Sequence, residues 1–184
     1  MIKDTLGTRF TAFATGLAML AALVLAGCAA APSNNVRITD ARASVVRFVD
    51  RDPGLQAWVD NAYGYAVFPS VGKGGFWVGG SYGHGIVFEL GEPIGSTRII
   101  QGTLGAQIGA QSFAQIIFFE DEVSLRNFQR GNFEFSAQAT AVAVTAGAAA
   151  TTSYDGGVAV FIMAKGGLMV EASVGGQKFT YEAL

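Results

Sequence analysis

The chain holds one histidine and one cysteine, which leaves few side chains able to do chemistry. Ser81 lies in Gly79-Gly80-Ser81-Tyr82-Gly83, the G-x-S-x-G spacing that in hydrolases throws a serine onto a sharp turn between a strand and a helix. His84 follows it directly. The elbow requires a helix behind the serine, whereas Gly85-Ile86-Val87-Phe88 reads as strand, and a base three residues away is badly placed to take the serine proton. The segment is therefore read as a glycine-rich hairpin. Gly72-Lys73 has the Gly-Lys pair of a phosphate loop, but Val67 stands where the loop opens with glycine and Gly74 where it places Ser or Thr. What remains is a mobile turn carrying one exposed lysine, Lys73, with backbone amides able to meet a lipid phosphate. Glu120, Asp121 and Glu122 diverge from one another on a helix start and read as negative charge at its positive end, not as a metal site. Asp50, Asp52 and Asp60 read as caps and solvated charges. No catalytic residue, metal or cofactor is expected, and the chain is read as non-enzymatic.

The composition agrees with one domain holding a real core: 184 residues, 51% hydrophobic and 14% charged. A net charge of -2 gives no electrostatic footprint for nucleic acid. A lone cysteine excludes an intrachain disulfide framework.

Lys3 and Arg9 precede an uncharged stretch at residues 10–27, the layout of a secretory signal peptide. Leu25-Ala26-Gly27-Cys28 resembles the bacterial lipobox, in whose precursors the cysteine receives lipid on its sulfur and becomes the new first residue. Ala29, not Asp, follows the cysteine. By resemblance to lipoprotein sorting, this implies an outer-membrane lipid anchor facing the periplasm of a Gram-negative cell envelope. A plain transmembrane anchor is the alternative, since 10–27 approaches the length needed to span. The chain then divides into a signal peptide at 1–27, a tether at 28–36 and a folded domain at 37–184.

Within the domain, Thr39 or Asp40 is expected to cap a helix running to about residue 50, with Ala41, Val45, Phe48 and Val49 on its apolar arc and Ser44, Arg47 and Asp50 opposite. Asp52-Pro53 starts a second short helix to about residue 62, burying Leu55, Trp58 and Val59. Residues 101–118 alternate. Leu104, Ala106, Ile108, Ala110, Ala114, Ile116 and Phe118 form an apolar face, and Gln101, Thr103, Gln107, Gln111 and Gln115 a wet one that Phe113 and Ile117 interrupt. Residues 120–122 open a third helix, which Arg126 and Arg130 close. Strands are expected at 133–149, 158–164, 168–174 and 177–182, with two-residue turns at Asp155-Gly156 and Gly175-Gly176. Together these give an α+β fold, mainly antiparallel β: a curved, glycine-rich, barrel-like sheet of about eight strands with two or three short helices packed on it.

The strand region resembles the SYLF domain, a lipid-binding and actin-regulating family also found in bacterial lipoproteins. The resemblance rests on Ala62-Tyr63-Gly64-Tyr65-Ala66-Val67-Phe68-Pro69, Val71, Lys73-Gly74-Gly75, Val78-Gly79-Gly80 and Gly83-His84-Gly85. It continues through residues 105–112, Phe128, Phe133 and Lys165-Gly166-Gly167-Leu168, and so spans residues 39–181. It implies a non-catalytic domain that binds phospholipid, with the amino-terminal amphipathic helix, here residues 38–50, as the membrane contact.

The expected function is lipid-anchored contact through Cys28 acyl chains, followed by docking on membrane phospholipid or an envelope protein partner. Arg37, Arg42, Arg47, Lys73, Phe76 and Trp77 are the candidate contact residues. No nucleic acid and no small-molecule substrate is expected. A structural or protein-interaction module without lipid affinity is one alternative. A small membrane β-barrel is another.

Overall fold

A computed structural model describes residues 33–75, 78–104, 109–130, 141–165 and 176–184. Cys28, the signal peptide, Phe76, Trp77 and the strand expected at 168–174 lie outside the described residues.

Helix α1 runs Asn34–Arg51 and α2 runs Leu55–Asn61. The first begins five residues before Thr39, inside the stretch assigned to the tether. Thr39 cannot cap it, because its Oγ1 donates to Asn35 O at 3.0 Å within the helix. Ser33 holds the extended N-cap position instead. Ser44 also departs from expectation. It is fully buried beside Ala41 and Phe48, because the small side chain lets α1 lie close on the sheet.

The strands are β1 Gly64–Gly75, β2 Val78–Glu89, β3 Glu92–Leu104, β4 Gly109–Phe119, β5 Val142–Ala143, β6 Val158–Ala164 and β7 Lys178–Ala183. Helix α3, Glu122–Gln129, follows β4. The described strands form one seven-stranded sheet in the order β5-β6-β4-β1-β2-β3-β7, antiparallel except for the β5–β6 pair. This α+β, mainly antiparallel architecture agrees with the sequence-based expectation, and the sheet is open, with β5 and β7 at its edges.

Each face of the sheet carries a buried apolar cluster. On the outer face, Ala41 and Phe48 of α1 and Leu55 of α2 pack on Tyr65, Val67, Ile86, Phe88, Ile116, Phe118 and Phe161. On the inner face, Phe68, Val71, Val87, Ile99, Phe113, Ile117, Phe119 and Phe179 cluster with Leu125 and Phe128 of α3. The alternation in β4 is real, with Ala114, Ile116 and Phe118 buried as expected, but its other face is buried as well. Phe113, Gln115 and Ile117 do not face water; they face the interior of a curled sheet.

The curl is visible in one contact. Gln115 of β4 and Gln177, which enters β7, exchange side-chain amide hydrogen bonds of 3.0 and 3.2 Å. Four strand spacings separate β4 from β7 along the sheet, about 19 Å if it were flat. Two glutamine side chains cannot bridge that distance, so the inner face must fold toward itself.

Local sequence explains how. Pro69 sits at a bulge where β1 changes register with both β2 and β4, the place where a strand tolerates a residue without an N–H. Opposite it, Gly85 leaves no room for a side chain: a Cβ there would lie 2.6 Å from Val67 O and 2.8 Å from the Phe68 ring. Leu90 and Gly91, both at positive φ, make the β2–β3 turn.

The later turns differ in detail from expectation. The hairpin at 155–158 has Gly156 and Gly157 at positive φ as its central pair, one residue later than Asp155-Gly156. Of the strand expected at 133–149, residues 133–140 lie outside the described residues. The remainder keeps only Val142–Ala143 before turning at Gly147 into a 3-10 turn, Ala149–Thr151. Asp52 stabilises that turn. Its carboxylate is buried and accepts from Ala149 N at 2.7 Å and Gly54 N at 3.1 Å. The Ala149 bond, against the opposing effect of burial, holds the carboxyl below its ordinary value of 3.8. Asp52 is thus a buried staple between the α1–α2 junction and the loop before β6, not a solvated cap. Negative charge does stand at the start of α3 as expected, and Asp121 additionally caps it, accepting from Ser124 N at 2.8 Å.

Candidate functional site

Helices α1 and α2 cover only part of the outer face. Alternation along β2, β3 and β7 brings a second group of side chains to that face, and no described element lies over them. The register aligns Tyr82 with Ile100 and Lys178, then His84 with Arg98 and Thr180, then Ile86 with Ser96 and Glu182. Tyr82 and Ile100 are each 52% exposed. Cross-strand neighbours of this kind lie about 5 Å apart, so the two form one apolar step on an otherwise polar surface.

The charges on this face are mostly positive. Arg98 approaches Glu182 at 3.9 Å with both side chains exposed, a geometry that contributes little. The Tyr82 hydroxyl and His84 Nε2 lie 2.8 Å apart. Partial burial, then the charges of Arg37 and Arg98, lower the His84 pKa from its ordinary 6.5. Arg37 in the first turns of α1 therefore belongs to the edge of this face. Its Nε is buried and has no acceptor among the described residues.

The inner face carries a polar row at the end away from α3. Lys73 pairs in register with Ser81 and Gln111, and Ser81 with Gln101. Ser81 is buried, and its Oγ donates to Gln101 Oε1 at 3.3 Å. Lys73 is thus within a paired central strand, not on the mobile turn expected from its glycines. Ser81 and His84 sit on opposite faces of β2, so His84 cannot act as base for Ser81. Among the described residues, no group of three His, Cys, Asp or Glu side chains gathers as for a metal ion.

The structure does not bring the sequence candidates together. Arg37 joins the outer face. Arg42 and Arg47 are both exposed on α1, about 140° apart around the helix. Lys73 belongs to the inner row. The structure adds Arg98, Ile100 and Lys178, which sequence reasoning missed. The two-residue spacing of Arg98 and Ile100 places them on one face, but nothing local says that this face is left open. A shallow depression of about 210 Å³ lined by Ala57, Trp58, Asn61 and Tyr154 also opens beside α2. Its Trp58 ring is already packed against Phe118, Tyr154 and Phe161.

Fold and face together define an α+β protein built on one curled antiparallel sheet, helix-covered on one part of its outer surface and basic and aromatic on the other. No family model matches the chain. It is similar to Beta cell expansion factor A of Aeromonas veronii, 28% identical over 144 residues, which are 77% of this chain and 54% of that protein. The chain therefore spans about half the length of that relative.

Proposed function

We propose that this chain is an outer-membrane lipoprotein whose SYLF-type periplasmic domain binds phospholipid or a membrane-proximal protein without catalysing a reaction. The observation that carries this reading is the start of α1 at Asn34. Only residues 29–33 separate it from Cys28, the lipobox cysteine. Six extended steps reach at most about 20 Å, so acyl chains on Cys28 would hold the folded body against the bilayer. The residue pattern shared with the SYLF domain supports phospholipid as the ligand. The membrane-barrel alternative draws no support from the outer face. Helices cover part of it, and Arg98, Lys178 and Glu182 stand on the rest, where a spanning barrel needs an apolar band.

Intact mass of the protein from native membranes tests the anchor. The expected species starts at Cys28 and carries lipid; an uncleaved, unmodified leader refutes the reading. Cys28→Ser should abolish processing. For the domain, pull-down of the anchored protein separates the alternatives: a stoichiometric envelope partner without lipid affinity would favour the protein-interaction reading. Unchanged esterase background in Ser81→Ala is expected, and its loss would restore the hydrolase reading.

A further inference from the structure

We propose that the uncovered outer face of β2, β3 and β7, rather than α1, is the surface this protein lays on anionic phospholipid; the inference rests on the membrane-apposed reading above. Helix α1 is poorly suited to the task. Its apolar arc is already occupied, with Ala41, Ser44 and Phe48 buried on the sheet. Its exposed arginines diverge, Arg42 and Arg47 standing about 140° apart around the helix at 3.6 residues per turn.

The β2–β3–β7 face has what α1 lacks. Tyr82 and Ile100 are adjacent and half exposed, an aromatic and an aliphatic group of the kind that enters the headgroup boundary. Among the described residues, Arg98 and Lys178 stand beside them in register and Arg37 lies within electrostatic reach of His84, together with one carboxylate, Glu182. Basic residues thus outnumber acidic ones on this described part of the surface, on a chain whose net charge is -2, so the complementarity to an anionic surface belongs to this face and not to the protein as a whole.

The surface beyond Tyr82 and Ile100 is also bare of side chains. Gly74, Gly80 and Gly102 align across β1, β2 and β3 and are exposed, and the space above Gly74 and Gly102 is empty. Among the described residues, no side chain there stands between the sheet and a bilayer laid on it. Finally, Arg37 ties the face to the first turns of α1, and α1 begins six residues after the proposed anchor.

The test uses the full acylated chain reconstituted in vesicles. Acylation occupies the lone native thiol, so a cysteine introduced by Ile100→Cys or by Val46→Cys on the exposed side of α1 takes a fluorophore alone. Quenching by bilayer-embedded nitroxide lipid is compared in phosphatidylcholine vesicles and in vesicles containing about one-third phosphatidylglycerol. Strong quenching at position 100 in the anionic vesicles, weak quenching in the neutral ones and weak quenching at 46 in both are expected. Arg98→Gln should weaken the anionic preference about fivefold. Quenching at 46 instead of 100, or equal quenching at 100 whatever the lipid charge, overturns the assignment of the face. A chain that carries no acyl group and fails to enter vesicles of either kind overturns the membrane reading itself.

Discussion

Gln115 and Gln177 hold each other across the inside of the curled sheet, each fully buried and each both donating to and accepting from the other. They join β4 to the start of β7, strands that never pair directly. A reciprocal amide pair is the polar contact best suited to an apolar interior, since each side chain satisfies a donor and an acceptor of its partner.

Removing one member should cost more than removing both. Gln115→Leu leaves the Gln177 amide buried without its partner, an expected loss of about 2–3 kcal/mol. Gln115→Leu combined with Gln177→Leu should recover most of it, because the surroundings are Phe68, Phe113 and Phe179. Urea unfolding of the four proteins of the cycle measures the coupling. Simple additivity of the two single losses would show that the pair does not act as a unit.

Asp52→Asn should destabilise by about 2–3 kcal/mol, since the charged acceptor of the Ala149 and Gly54 amides is weakened. The pH dependence follows from the lowered pKa of Asp52. A carboxyl that is more acidic folded than unfolded stabilises fully above its unfolded value, near 3.8, and loses that contribution as pH falls toward the folded value. Acid unfolding of Asp52→Asn should therefore have a flatter limb below about pH 4 than the wild type. Parallel limbs would remove Asp52 from the account.

Two glycine substitutions should differ in size. Gly85→Ala drives a Cβ against Val67 O and the Phe68 ring and should cost about 1–3 kcal/mol or more. Gly102→Ala meets open space on the same sheet and should lie within about 0.5 kcal/mol of wild type or slightly above it. Equal melting temperatures for the two variants would contradict the close packing at the bulge.

His84 is the single histidine, so its imidazole signal in a proton NMR titration needs no assignment. Its midpoint should fall below 6.5, from partial burial first and then from Arg37 and Arg98. Arg98→Gln should move it upward but not to 6.5, because burial remains. A histidine with a lowered folded pKa is bound more tightly by protons in the unfolded chain, so its contribution to stability is complete above about 6.5 and declines below it. Anionic vesicles should raise the midpoint, as phosphate favours the imidazolium, and binding should then strengthen as pH falls. A midpoint unmoved by Arg98→Gln would place that arginine away from the ring.

The sequence by itself determined the elements that depend on near neighbours. The acidic start of α3, the apolar arcs of α1 and α2 and the alternation in β4 are all set within a few residues. It also carries, at Cys28, a pattern that resembles the lipobox. Alternation states that a strand has two faces, but not which face is inside, and so Gln115 looked wet until the curl of the sheet enclosed it. Ser44 looked exposed for a similar reason: a helix wheel cannot know how wide a surface the helix will lie on. The β2–β3–β7 face was hidden most completely. Tyr82, Arg98 and Lys178 are far apart in the chain and meet only through register. Their exposure depends on where α1 and α2 stop covering the sheet, which is decided by long-range packing and by no residue of the face itself.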